Sequence, residues 1–203
     1  MDEAQQITLG DTLVLHWKSL VRGDDLPKSS DFKPEKSLKD LLPHIFLLEL
    51  EDGDITLSLV GPGHDERLSV NPMGVSYLDT MPPERRYPTL LRFQTMLMSQ
   101  CGCRALVDEE MSDGRISPSI LTAVPFAADE KRKPCVVAIV PPSTLVAELG
   151  QPVVPFMSRP FQDFSYLDLG FGQPPQLGEA LLGIGQSPED NIWPDLASVV
   201  KQT

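Results

Sequence analysis

The stretch SDFKPEKSLKDLLPHIFLLELEDGDITLSLVGPG, residues 30–63, decides the fold because it joins a helix-like segment directly to a β-hairpin. Its first part, PEKSLKDLL, has a proline at a helix start, an early acid and leucines on one side, which predicts a short helix. Pro43 ends that helix, since the residue before a proline is disfavoured in the α region. HIFLLEL and ITLSLVG, separated by the turn EDGD, then predict two antiparallel strands.

The second of these strands alternates strictly, with Ile55, Leu57 and Leu59 predicted on one face and polar residues between them. Three further strands are predicted later in the chain. Their ranges are 103–111, 115–129 and 134–142, and the middle one alternates through Ile120, Thr122, Val124 and Phe126.

Two longer helices complete the pattern. Residues 11–22 have an apolar face at helical spacing, with Asp11 as the expected N-cap and Gly23 as a stop. Residues 83–100 repeat an apolar face that includes Phe93, and Pro88 is expected either to begin or to kink that helix. Two leading strands, intervening helices and three trailing strands predict an α+β fold with helices on one face of an antiparallel sheet.

The expected organisation is an N-terminal helical cap over residues 1–43, a core over 44–142 and an irregular extension over 143–203. The extension is rich in proline and glycine, and a short helix is predicted near its end, in SPEDNIWPDLASVV. Lone aromatic residues in the extension are expected either to lie back across the domain or to form a partner surface. They are Phe156, Phe161, Phe164, Tyr166 and Phe171.

Composition narrows the function classes. The chain has 203 residues, a formal net charge of −12 and a pI of about 4.6, which disfavours binding to nucleic acid and to anionic membranes. Three cysteines do not make a disulfide framework, and neither a signal peptide nor a spanning segment is evident. These features favour a cytoplasmic protein.

The opening block carries a family resemblance. HWKSLVRGDDLPKSSDFKPEKSLKDLLPHIFLLEL, followed by SLVG at 58–61 and by Gly74, resembles the PAS domains of the proteobacterial PAS_5 family over about residues 12–142. The chain departs from that family where Gly61-Pro62-Gly63 replaces the usual Gly-Thr, which puts ligand contacts from this loop in doubt. The resemblance implies a PAS-like five-stranded antiparallel sheet with helices on one face, preceded by an N-terminal cap helix, and a role in sensing or protein association without catalysis. An output module is not expected, because no kinase, cyclase or DNA-binding segment fits in residues 143–203.

A ligand would occupy an apolar pocket between the sheet and the long helix. The expected lining residues are His44, Phe46, Leu57, Phe93, Met96 and Ile120. His44 is more simply read as a residue that holds the junction between helix and strand. The first helix is the expected homodimer interface, through Leu13, Trp17 and Leu20. A signalling protein is the other expected partner.

Cofactors and metals are not predicted. Haem-binding PAS proteins place a histidine on a helix, and flavin photosensors place a cysteine in a helix motif, whereas residues 83–100 have no histidine and the three cysteines lie on or beside strands. The thiols of CGC, 101–103, would share one side of an extended chain, but two further zinc ligands are missing, so they are expected to be structural. The sequence HDE at 64–66 is expected to be a solvated loop.

Two other functions remain open from the sequence. A small enzyme could use the same cavity, with His44 and Arg86 as the pair of polar groups that would have to act there. A structural adaptor with a filled core is the third reading, and a measured cavity volume separates it from a ligand-binding domain.

Overall fold

The computed structural model describes residues 1–33, 38–64, 72–149 and 160–174. Within them the chain forms one antiparallel sheet and three α-helices. The helices are α1 Glu3–Leu20, α2 Pro83–Met98 and α3 Thr144–Leu149. The strands are β1 Ile45–Glu51, β2 Asp54–Val60, β3 Gly102–Glu110, β4 Ile116–Phe126, β5 Cys135–Ile139 and β6 Phe161–Leu167.

The sheet is open and has the strand order β2-β1-β5-β4-β3-β6, with antiparallel pairing throughout. The predicted α+β class is therefore confirmed at a coarse level, and all five predicted strands lie in the sheet. The number five is wrong, because β6, from the segment predicted to be an irregular extension, adds a sixth strand beside β3.

The prediction placed the helices on one face of the sheet, but in the structure they lie on both faces. The α1 face carries a cluster of buried side chains that includes Trp17 of α1, Val124 of β4 and Val137 of β5. The α2 face carries a second cluster, which includes Phe93 of α2, Ala123 of β4 and Ala138 of β5. Neighbouring residues of one strand point to opposite faces, so β4 and β5 supply both clusters.

Helix α1 begins eight residues before the predicted start. Asp2, not Asp11, is its N-cap, and Asp2 and Gln5 form a capping box in which each side chain accepts a hydrogen bond from the other's backbone N–H. The first two turns carry Gln6 and Gly10, both buried, where a conventional apolar stripe would be expected. Because neither residue is a large apolar one, hydrophobic periodicity did not reveal where the helix begins.

The segment before β1 is tighter than predicted. Residues 34–37 lie outside the described part of the chain, and over the rest of PEKSLKDLL the backbone forms a turn followed by a 3₁₀-helix, Leu42–His44, that contains Pro43. A second 3₁₀-helix, Pro62–His64, follows β2 and packs against this first one. A Cβ added at Gly61 would lie 2.2 Å from the carbonyl oxygen of Leu42, so only glycine permits this approach.

The β1–β2 hairpin has the expected turn, because Asp52 and Gly53 both have positive φ. The predicted alternation along β2 fails at Ser58, which is skipped where Leu47 pairs with Leu59 and Leu48 with Leu57. This bulge sends Leu59 to the α1 face and Val60 to the α2 face.

Helix α2 begins at Pro83, as predicted, and ends at Met98, two residues before its expected end. It runs through Pro88, which lies in its second turn. A further 3₁₀-helix, Leu78–Thr80, lies between β2 and α2. The helix predicted in SPEDNIWPDLASVV, residues 187–200, lies entirely outside the described residues. Across the described ranges, none of the helices has both the length and the apolar character needed to cross a bilayer.

Candidate functional site

A small cavity lies between α2 and the sheet. Its volume is about 30 Å³, and its walls come mainly from the sheet and α2. One water molecule needs roughly 10–15 Å³ of such space, so the cavity has room for about two. Nearly all of the lining side chains are apolar.

The sheet forms the floor of the cavity, and two alanines create the space. Phe46 of β1 lies opposite Ala138 of β5, and Ala138 lies opposite Ala123 of β4. Directly opposed residues of antiparallel strands share a face, so these three side chains form one row across the sheet. Two adjacent methyl groups on the central strands leave a depression that larger side chains would fill.

The roof consists of one face of α2, supplied by Phe93, Met96 and Arg92. Phe93 and Met96 are buried three residues apart, so they lie on the same side of the helix. Tyr77, just before the Leu78–Thr80 turn, also lines the cavity, with its ring centroid 6.1 Å from that of Phe93. Burial raises the pKa of the Tyr77 phenol, which therefore stays protonated at neutral pH.

The remaining wall is β6, through Phe161 and Phe164. The pairing of β3 with β6 is irregular, since Arg104 lies opposite Ser165 whereas Leu106 lies opposite Gln162. Two β6 residues, 163 and 164, therefore face a single β3 residue, and Asp163 has a φ of 45°. This bulge places the aromatic rings at 161, 164 and 166 on the same face of the sheet, although their spacing is three and then two.

Among the residues that the structure describes, Arg92 is the only cationic side chain that lines the cavity. Its guanidinium carbon lies 4.9 Å from the ring centroid of Phe164 and 5.8 Å from that of Phe161, a distance typical of cation–π contacts. Burial lowers the pKa of the Arg92 guanidinium, and electrostatic interactions with Tyr166, Cys103 and Tyr77 oppose that shift. Burial raises the pKa of Tyr166 and of Cys103 to about 12, so both are neutral at pH 7.

The three cysteines are buried and free, as expected for structural thiols. Burial raises the pKa of Cys101 to about 12 and that of Cys135 to about 11, with Cys103 as given above. Because the thiolate is the nucleophile and the metal ligand, these thiols are poorly reactive at neutral pH. No group of three or more metal-binding side chains occurs within the described ranges.

The structure brings together four of the six pocket residues named from the sequence. Phe46, Leu57, Phe93 and Met96 all line the cavity. They come from β1, β2 and α2, whose facing surfaces the predicted hairpin and helix specify.

Ile120 and His44 do not line the cavity, and their prediction is corrected. Ile120 has the same parity as Thr122 and Val124 on β4, which face α1, so Leu121 and Ala123 occupy the cavity face in its place. His44 lies at the end of the Leu42–His44 turn, and its ring packs edge-on against that of His64 at 6.5 Å. Its carbonyl accepts a hydrogen bond from the N–H of Val140, so it holds the junction before β1.

The predicted dimer residues also require correction. Leu13 and Trp17 have no exposed surface, because they pack against the chain's own sheet. The Trp17 indole Nε1 donates a 2.6 Å hydrogen bond to the carbonyl of Pro125, and Leu20 is partly buried against the same cluster. These side chains therefore attach α1 to the domain, and none of the three offers an exposed apolar face to a second copy.

The pair considered for an enzyme is not assembled at the cavity. Arg86 forms a salt bridge with Asp79, at 3.0 Å, and neither Arg86 nor His44 lines the cavity.

Sequence reasoning missed Arg92 and the two phenylalanines of β6. Arg92 precedes Phe93 on α2, so its position beside the predicted roof residues was an available signal. The spacing of Phe161, Phe164 and Tyr166 fits neither a strand nor a helix, because the bulge absorbs one residue. The aromatic residues of this part of the extension do lie back across the domain, with Phe171 edge-on to Trp17 on the other face at 6.2 Å.

Comparison with known proteins adds no family assignment. No protein-family model matches the chain, and no curated protein matches its sequence. The resemblance to PAS_5 proteins therefore stays a prediction that rests on the residues quoted for it, and what the chain shares with such domains at the level of structure is an α+β fold with an antiparallel sheet.

Proposed function

We propose that this protein is a PAS-like sensory or regulatory domain that binds a small molecule in the cavity between α2 and the sheet. The observation that carries the proposal is the apolar cavity above Ala123 and Ala138. Interiors are normally packed with few voids larger than a water molecule, and empty space in a core lowers stability. A vacancy built from two small residues on central strands is therefore a feature that needs a reason, and ligand binding supplies one.

The composition of the walls supports binding over catalysis. Ligand sites are typically apolar with a few polar groups that fix orientation, and the cavity has this character, with Arg92 at one side. Among the described residues of the site, the thiol of Cys103 has a pKa that burial raises to about 12, so it is a poor nucleophile at neutral pH.

The position of β6 suggests how occupancy would be transmitted. β6 contributes Phe161 and Phe164 to the cavity and pairs, in the described part of the chain, with β3. A ligand that touches these rings would favour one position of this edge strand over others. Signal would then pass by association of another protein, or a second copy, with a surface that depends on β6.

The small volume favours one alternative, a structural adaptor whose core is effectively filled. About 30 Å³ accommodates only two or three non-hydrogen atoms without movement of the walls. In that alternative the protein would act through its surface alone.

The test is ligand-dependent stabilisation of the full chain against heat, because a molecule that binds only the folded state raises its stability. Small neutral alcohols and small carboxylic acids serve as probes, at constant ionic strength. The matched control is Ala123→Val, which adds two carbon atoms inside the cavity. We expect probes that raise the melting temperature of the wild-type protein to lose their effect on this variant.

Binding that survives Ala123→Val would place the ligand elsewhere. If no probe stabilises the wild-type protein and the valine variant is itself more stable, the adaptor reading replaces the sensory one.

A further inference from the structure

The chemical class of the ligand follows from Arg92, and this inference rests on the proposed function. Arg92 lines an otherwise apolar cavity, and its guanidinium stands over the rings of Phe161 and Phe164. Arg86, Arg104 and Arg115 each form a salt bridge with an aspartate, whereas no salt bridge within the described ranges joins Arg92 to a carboxylate.

A half-buried cation without an anionic neighbour is costly. Removing a charge from water is unfavourable unless a counter-charge or hydrogen bonds compensate for it. The phenols and the thiol nearest to Arg92 are protonated at neutral pH, so they contribute no negative charge. Cation–π contact with the two rings offsets only part of that cost. The planar guanidinium has a further preference, for bidentate pairing with a carboxylate.

We propose that the cavity binds a short-chain carboxylate, with its carboxylate group paired to Arg92 and an aliphatic tail of two or three carbons above Ala123 and Ala138. The tail length follows from the volume, which holds two or three non-hydrogen atoms, so the carboxylate itself would lie outside that volume, beside the partly exposed Arg92. Propionate and butyrate have this form. The protein's net charge of −12 opposes the approach of anions, so an attraction to them would have to be local to this guanidinium.

The experiment is calorimetric titration of the full chain with butyrate and with its neutral isostere butyramide, at constant ionic strength. We expect butyrate to bind at least ten-fold more tightly than butyramide. Arg92→Met, which keeps the length of the side chain and removes its charge, should abolish that preference. Arg115→Met makes the same chemical change in the β3–β4 hairpin, where Arg115 pairs with Asp113, and should leave the preference intact.

Arg92→Lys provides a second variant if Arg92→Met does not fold. Lysine keeps the charge but cannot form the bidentate pair, so butyrate affinity should fall several-fold without disappearing. An undiminished affinity in both Arg92 variants would overturn the carboxylate assignment.

The outcomes separate this inference from the proposed function. Equal binding of butyrate and butyramide by the wild-type protein, abolished by Ala123→Val, would remove the carboxylate assignment and leave a neutral-ligand cavity. Absence of binding by butyrate, butyramide and small alcohols alike would remove both.

Discussion

The two faces of the sheet are built from the same central strands but are packed differently. On the α1 face, Trp17 is fully buried, and Gly10 lets the helix backbone approach Thr122 of β4 closely. On the α2 face, alanines on β4 and β5 leave a cavity whose remaining wall is an edge strand. The difference teaches that one face of this domain holds its helix by close packing, whereas small side chains on the other face leave space beneath α2.

The largest expected effect comes from the attached face. Trp17→Ala removes a fully buried indole and its hydrogen bond to the Pro125 carbonyl, so we expect the free energy of unfolding to fall by about 3–5 kcal/mol. Urea denaturation measures it. Leu15→Ala, on the same helix but 67% exposed, is the control and should change stability by less than about 0.5 kcal/mol. A small loss at Trp17 would mean that α1 is only loosely attached.

The substitution Gly10→Ala tests whether an added methyl group raises or lowers the free energy of unfolding. In an ordinary helix Gly→Ala stabilises by about 1 kcal/mol, but a Cβ here would lie 2.3 Å from Oγ1 of Thr122. We expect Gly10→Ala to destabilise the protein by about 1–3 kcal/mol, the range of overpacked cores. Thr122→Ala should relieve the clash. The double mutant should therefore lose less stability than the sum of the losses in the two single mutants. Stabilisation by Gly10→Ala alone would contradict the close packing described for this face.

The smallest effect concerns pH on the cavity face. The pKa of Cys103 is raised to about 12 by burial, from a model-peptide value near 9, so the folded state keeps the proton longer than the unfolded state does. The stability contributed by this proton is present below about pH 9 and is lost as the pH rises toward 12. At pH 10 the loss should be about 1 kcal/mol, and Cys103→Ala should remove that part of the pH dependence, as followed by urea denaturation from pH 7 to 10. An identical pH profile in the variant would show that the thiol is not buried as described.

Sequence patterns predicted the secondary-structure elements that depend on local sequence rules. The hairpin of β1 and β2 follows from its turn residues, and α2 follows from apolar spacing and a proline start. Both supply cavity residues, so Phe46, Leu57, Phe93 and Met96 were accessible without a structure.

What the sequence did not predict depends on irregular backbone and on the choice between two buried faces. Bulges at Ser58 and Asp163 change which face the following side chains occupy, and period-2 reasoning cannot place them. Strand β4 is apolar on both sides, so its parity could not say whether Ile120 or Leu121 faces α2. The partners of Trp17 are set by long-range packing, which made a core residue resemble an interface residue.

The edge position of β6 has a kinetic consequence. A strand hydrogen-bonded along one side, with a bulge in its middle, can detach at a lower free energy than the central strands, as local opening in proteins generally does. Detachment would move Phe161 and Phe164 away from the cavity and widen its opening to solvent, while Trp17 stays packed on the opposite face. If a molecule binds in the cavity as proposed, its rates of entry and exit would depend on how often β6 opens, and amide hydrogen exchange along β6 measures that opening.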